Sequence, residues 1–184
     1  MTTLVTGAAG FLGSHVTRQL VARGDDVRVL MRVSSTNRAI ADLSLEYVTG
    51  DLRDPASLDR AMKGVKRVFH VAADYRLWAK RSQDIYDSNV GGTKNLLEAA
   101  RRAGVEQLIY TSTVATIAVD RPQHPNESTD AKLEEMVGHY KRSKWLAEKE
   151  ALAAAKTGLP VIVAMPTRPS APGIGSPHLP EKSS

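Results

Sequence analysis

The sequence predicts an α/β fold: a doubly wound parallel sheet with helices on both faces. Three observations predict it. Short apolar runs alternate with helix-period segments from residue 3 to residue 164. A glycine-rich turn, Gly7-Ala8-Ala9-Gly10-Phe11-Leu12-Gly13, links the first run to the first helical segment. A hydroxyl cluster, Thr111-Ser112-Thr113, ends the fifth run, at the carboxyl end where open α/β sheets bind ligands.

Residues 3–6 (TLVT) form the first strand, and the helix that follows covers 11–23. Its apolar positions Leu12, Val16 and Leu20 keep helical spacing, and Gly24 caps its end. The second strand is 27–31 (VRVLM) and the third 45–48 (LEYV). The fourth is 65–72 (VKRVFHVA) and the fifth 107–111 (QLIYT). Between them lie helices over 55–63 and 83–103, the second stopped by Gly104. A longer helix covers 132–156, and 159–164 supplies the sixth strand. Each helix must return the chain to the same end of the sheet, which specifies parallel pairing through right-handed crossovers. Residues 1–165 are thus expected to form one domain. Residues 166–184 hold five of the nine prolines and four serines without apolar periodicity, the pattern of a disordered tail.

Composition narrows the function. The 184 residues carry 25 Lys plus Arg against 20 Asp plus Glu, a formal charge of +5, and are 42% hydrophobic and 24% charged. That is the make-up of an ordinary globular domain. The absence of cysteine excludes a disulfide scaffold, cysteine-ligated metal sites and thiol catalysis, and fits a cytoplasmic protein. No apolar run reaches a membrane span, and the start MTTLVTGAAG lacks the pattern of a signal peptide. The basic pairs Arg101-Arg102 and Lys141-Arg142 are dispersed among acids, which argues against nucleic acid as the partner.

In the glycine turn, Gly7 permits the tight bend, Gly10 lets backbone approach a pyrophosphate, and Gly13 allows close packing of helix on strand. The helix start adds unpaired N–H groups and a positive dipole end. A plain strand–helix turn is the simpler alternative; the strand-before, helix-after context favours a dinucleotide. No Gly-Lys-Ser/Thr follows, so a P-loop is excluded. The second strand ends Leu30-Met31-Arg32 with no carboxylate, which makes Arg32 the candidate for an NADP 2′-phosphate, with NAD the other option. The alternative for Arg32 is a solvated side chain. Asp51-Leu52, after the third strand, is placed for the adenine edge, unless Asp51 instead caps the next helix.

Tyr140-Lys141-Arg142-Ser143-Lys144 sets a phenol and an ammonium four residues apart on one helix face. There the ammonium is expected to lower the phenol pKa. Alone the pair is a weak signal, since a tyrosine beside a lysine is common on exposed helices. The hydroxyls at 111–113 give it a partner able to hold a reacting oxygen. His70 falls in a buried strand and is expected to be a satisfied core histidine; His15 and His139 are expected to be structural, and no ligand cluster points to a metal.

The glycine turn, the hydroxyl cluster and Tyr-x-x-x-Lys together resemble an extended short-chain dehydrogenase/reductase, an NAD-dependent epimerase/dehydratase with a Rossmann fold. Two longer strings, HVAADYRLWA (70–79) and GHYKRSKWLAEKE (138–150), resemble the hopanoid-associated sugar epimerases and dihydroflavonol reductases, and the likeness runs over about 2–163. The resemblance implies that Gly7, Gly10 and Gly13, with the backbone of Phe11 and Leu12, hold the pyrophosphate, and that Asp51 and Leu52 meet the adenine. It implies that Ala72, Ala73 and Thr111 line the nicotinamide side and that Asn89, in Ser-Asn-Val-Gly-Gly-Thr, orders the active-site helix. Thr113 would orient the substrate oxygen, with Ser112 as the other choice. Tyr140 would be the general acid/base, and Lys144 would bind the ribose. Asp74, Tyr75, Arg76 and Trp78 would face a small-molecule substrate, and a homodimer is compatible with the family.

Family dehydratases carry an Asp-Glu pair after the threonine; Val114-Ala115 stands there instead, which leaves epimerase or carbonyl reductase. Members of the family also continue for about as long again, supplying a substrate-binding lobe. The expectation is therefore a C-terminally truncated chain that lacks that lobe. A non-catalytic NADP-binding module or fragment is the alternative function.

Overall fold

The computed structural model describes residues 1–76, 79–117 and 131–167. Its strands are Thr2–Thr6 (β1), Asp26–Met31 (β2), Glu46–Thr49 (β3), Val65–His70 (β4), Gln107–Thr111 (β5) and Val161–Ala164 (β6). Its α-helices are Phe11–Ala22 (α1), Pro55–Ala61 (α2), Gln83–Tyr86 (α3), Gly92–Arg102 (α4) and His139–Lys156 (α5). The six strands pair in parallel in the order β3-β2-β1-β4-β5-β6. The chain winds outward from β1 to β3, then returns past β1 to wind the other way through β4, β5 and β6. The winding reverses between β1 and β4, which opens a crevice at their carboxyl ends. No helix among the described residues is long and apolar enough to cross a membrane.

Alternation along β1 builds a core on each face of the sheet. Leu4 and Val5, both fully buried, point to opposite sides. Leu4 joins Leu58, Met62, Leu96, Leu108 and Ala147, from α2 and its C-cap, α4, β5 and α5. Val5 joins Leu20, Val27, Val29 and Ile40, beneath α1.

Most predicted elements stand within a residue or two. The expected helix over 83–103 is interrupted: α3 ends at Tyr86, a π-type turn covers Asp87–Gly91, and α4 begins at Gly92. The wider turn is where the Asn89 side chain leaves the helix to bond elsewhere. The expected helix from 132 starts only at His139, because Gly138 takes φ 87° and breaks the helical path. Ahead of it Leu133–Glu135 forms a short 3₁₀ turn. The fourth strand stops at His70, two residues early, and the sixth starts after Pro160, which has no N–H to give. Of the proline-rich segment only Pro166 and Thr167 are described; the expected tail otherwise lies outside the described residues.

Candidate active site

The glycine turn is shaped by what its residues lack. Gly7 has φ 75°, and a Cβ there would lie 2.6 Å from the Ala72 nitrogen, so β1 and the end of β4 meet backbone to backbone. A Cβ on Gly13 would lie 2.6 Å from the Gly7 carbonyl carbon and closer still to its oxygen. The expected packing of Gly13 is thus against the turn itself. At Gly10 the only atom of the described residues that an added Cβ meets is the Gly7 oxygen, at 3.3 Å. Gly10 is the N-cap of α1 and offers no side-chain bond, which leaves the N–H groups of Phe11 and Leu12 to an outside acceptor. A pyrophosphate fits such an end. Ala72 and Ala73 are half-buried at the end of β4, directly beside the turn.

Arg32 lies exposed at the end of β2, and its charge helps hold the carboxyls of Asp51 and Asp74 below their ordinary range. The dominant cause in each is a nearer arginine: Arg53 for Asp51, with bonds of 2.8 and 3.0 Å, and Arg76 for Asp74. The helix-capping alternative for Asp51 fails, because Asp54 caps α2 by accepting from the Ala56 N–H at 3.0 Å. Leu52 packs where a Cβ on Gly92 would fall, 2.7 Å from the Leu52 Cβ. In the loop after β4, Asp74 is half-buried while Tyr75 and Arg76 are exposed; Trp78 lies outside the described residues.

Asn89 ties that loop to α5. Its Oδ1 accepts from the Asp74 N–H at 2.7 Å, and its Nδ2 donates to the Asp74 carbonyl and to Ser143 Oγ, each at 2.9 Å. Ser143 lies between Tyr140 and Lys144, so Asn89 holds the helix at the turn that carries both. Lys144 is buried: its Nζ donates to the Thr111 carbonyl at 2.7 Å and sits 4.5 Å from the Tyr110 ring centroid. Burial pulls its pKa down to about 8. Tyr140 is half-buried, and burial raises its phenol above the ordinary value. The expected lowering by Lys144 is overturned here, because the ammonium is directed at Thr111 and Tyr110.

The two hydroxyl candidates separate cleanly. Ser112 is buried and donates to Glu148. Thr113 is partly exposed at the strand end, where its Oγ1 accepts from the Ala115 N–H at 3.2 Å. Thr113 is therefore the more exposed of the two hydroxyls.

Two buried arrangements escaped the sequence reading. One is the polar chain around His70: Ala72 N–H donates to Thr6 Oγ1 at 3.3 Å, Thr6 meets His70 Nδ1 at 2.8 Å, and Nε2 meets Thr93 Oγ1 at 3.0 Å. The neutral ring carries one N–H and one acceptor nitrogen, and both ring nitrogens are matched by hydroxyls that can donate or accept. Burial, then the Lys144 charge, pushes the His70 pKa down to about 3. The other is Glu148, buried one turn beyond Lys144. Its signal was an acid at i+4 from a site lysine on the small-residue stripe Ala147, Ala151, Ala154.

The site can be set beside known proteins. The model of the NAD dependent epimerase/dehydratase family matches residues 3–183. A dihydroflavonol 4-reductase-like protein of Synechocystis sp. is 43% identical over 169 residues, 91% of this chain and 49% of that protein. Sterol demethylase protein B of Methylococcus capsulatus is 38% identical over 166 residues, 90% of this chain and 51% of its own. The crystal structure of Thermus thermophilus UDP-glucose 4-epimerase in complex with NAD aligns with a TM-score of 0.77 at 30% identity, covering 89% of this chain and 54% of that one. The chain spans about half the length of the curated relatives it matches. The likeness carried by the glycine turn and the Tyr-x-x-x-Lys helix is therefore one of descent: the chain belongs to the NAD dependent epimerase/dehydratase family, with the extended short-chain dehydrogenase/reductase fold.

Proposed function

We propose that residues 1–165 bind a nicotinamide dinucleotide across the carboxyl ends of β1 and β4 and serve a reductase or sugar epimerase reaction on a small molecule. The observation that carries this reading is the Lys144–Thr111 bond. It brings the Tyr-x-x-x-Lys face of α5 to the hydroxyl-bearing end of β5, beside the strand that abuts the glycine turn. Gly7, Gly10, Gly13 and the Phe11 and Leu12 amides hold the pyrophosphate, Asp51 and Leu52 the adenine, and Ala72, Ala73 and Thr111 the nicotinamide side. Asn89 keeps α5 in place. A bound nicotinamide supplies the hydride acceptor or donor. Thr113 hydrogen-bonds the reacting oxygen, and Tyr140 Oη exchanges a proton with it. Burial keeps that phenol protonated at neutral pH, the form that gives a proton to a carbonyl oxygen. Lys144, charged below about pH 8, holds the ribose.

Arg32 favours NADP, since it stands exposed at the end of β2, a strand end that itself carries no carboxylate. The likeness to a UDP-glucose 4-epimerase favours a nucleotide sugar among the substrates, and the cysteine-free composition favours the cytoplasm. Fluorescence titration with NADPH and NADH tests the reading. Both should bind, NADPH more tightly. Binding of neither overturns the function, and tighter binding of NADH overturns the role given to Arg32.

A further inference from the structure

Glu148 is a buried carboxylate, only 7% exposed, that the proposed reaction does not use. Its Oε2 accepts from two hydroxyls that flank Thr113 along the chain. One is Ser112 Oγ, immediately before it; the other is Thr116 Oγ1, three residues after it, at 2.9 Å, whose one proton is shared with the Thr113 carbonyl at 2.7 Å. Between those anchors the backbone makes a single 3₁₀ turn, Val114–Thr116, closed by the Thr116 N–H on the Thr113 carbonyl at 3.1 Å. Ser112 is further tied to β6 through its N–H on the Ala164 carbonyl at 2.7 Å. Glu148 sits on α5, one helical turn from Lys144 and two from Tyr140. One carboxylate thus joins both ends of the segment bearing Thr113 to the helix bearing the other two site residues.

We propose that Glu148 is a positioning residue: it clamps the Thr113 turn onto α5 through Ser112 and Thr116, and it stands as the counter-charge of Lys144 in the buried interior. The inference takes its catalytic meaning from the proposed function. A lone carboxylate in this interior would be strongly disfavoured, as would a lone ammonium. Among the described residues, the groups facing Lys144 are Glu148 on α5, the Thr111 carbonyl and the Tyr110 ring on β5 and the neutral His70 on β4. Of these only Glu148 carries a full negative charge, and it opposes the lowering that burial imposes on Lys144. The two roles separate chemically. A hydroxyl needs an acceptor oxygen, which glutamine also provides, whereas the lysine needs the charge, which glutamine does not.

The test uses the full chain without ligand, so it reads Glu148 whether or not a dinucleotide binds. In E148Q, the Lys144 side chain followed by NMR against pH should titrate about one pH unit lower than in the wild type. In a Ser112→Ala variant, which keeps the carboxylate and the Thr116–Thr113 bond, the Ala115 and Thr116 amides should exchange with solvent about tenfold faster while β1 amides stay protected. An unmoved Lys144 midpoint in E148Q overturns the counter-charge role, and unchanged exchange at 115 and 116 overturns the clamp. The proposed function fails separately, on the wild-type titration with NADPH and NADH.

Discussion

Two stretches of the sheet's carboxyl edge, its middle and the side that carries β5, are built by opposite means. Where β1 meets β4, the site is made by side chains that are missing: Gly7 and Gly13 sit where any Cβ would collide with backbone. Where β5 meets α5, the site is made by side chains that are buried and bonded: Lys144 on the Thr111 carbonyl, Asn89 on Ser143, Ser112 and Thr116 on Glu148. The first end presents backbone N–H groups and a helix dipole to whatever docks there, and works by close approach. The second gathers a phenol, an ammonium and a hydroxyl on one helix and one strand end, and in the proposed function works by chemistry. A glycine-built end fails through steric collision, a network-built end through one lost charge or proton. The two should therefore break under different substitutions.

The largest effect should come at the chemical end. Tyr140→Phe removes the exchangeable proton and little else, since the half-buried phenol makes no hydrogen bond among the described residues. Turnover should fall about 10²- to 10⁴-fold with dinucleotide affinity and melting temperature nearly unchanged. Steady-state assay beside thermal melting decides it, and retained turnover removes Tyr140 as the acid/base. At the glycine end the pattern inverts. Gly13→Ala should cost stability, about 3 kcal/mol, because its Cβ meets a backbone carbonyl that cannot move aside. Gly10→Ala, with only one contact at 3.3 Å, should leave urea unfolding within about 0.5 kcal/mol and yet weaken dinucleotide binding. Equal unfolding curves for the two variants would dissolve the distinction between the ends.

His70 bridges them, bonded to β1 through Thr6 and lowered further by Lys144. Its folded pKa of about 3 lies below the ordinary 6.5, so the unfolded chain takes up the proton first. Stability present above pH 6.5 should fall as pH drops toward 3, by about 1.4 kcal/mol per unit. Urea unfolding at pH 7.0 and pH 5.5 reads the slope before the carboxylates begin to titrate. His70→Gln should flatten it, and a slope that survives the substitution assigns the effect to another group.

The same contrast explains what the sequence could and could not disclose. The doubly wound parallel sheet and the glycine turn follow from local patterns: alternating runs, glycine spacing and the chirality of the crossovers. Tyr140, Lys144 and Thr113 were legible because their spacing and strand-end position are themselves the signal. Glu148 was not, because its partners Ser112 and Thr116 lie more than thirty residues away and become neighbours only once α5 packs on β5. The break in the 83–103 helix was hidden for the same reason: Asn89 leaves the helical ladder for Asp74 and Ser143, and neither can be seen in the local periodicity. His70 was placed in the core correctly, but the Thr6–His70–Thr93 chain needs β1, β4 and α4 assembled. The Tyr140 pKa went the wrong way because spacing fixes which face two side chains share, not where each one points.

The smallest effect expected is also the one that probes an exception to the contrast. Arg32 is a charged side chain in an end otherwise made of backbone, and it lies exposed, where water screens it. Its influence reaches Asp51 and Asp74, yet each of those already has a nearer arginine. Its charge is therefore not needed to hold the loops together, and Arg32→Ser should leave thermal melting unchanged. A 2′-phosphate would meet this guanidinium through charge-assisted hydrogen bonds at the surface, an interaction of modest strength. NADPH affinity should accordingly fall about tenfold while NADH affinity stays within twofold, and raising the ionic strength should narrow the difference. Equal losses for the two dinucleotides would make Arg32 a general electrostatic contributor. No loss for either would leave it a solvated side chain and the glycine end a matter of backbone alone.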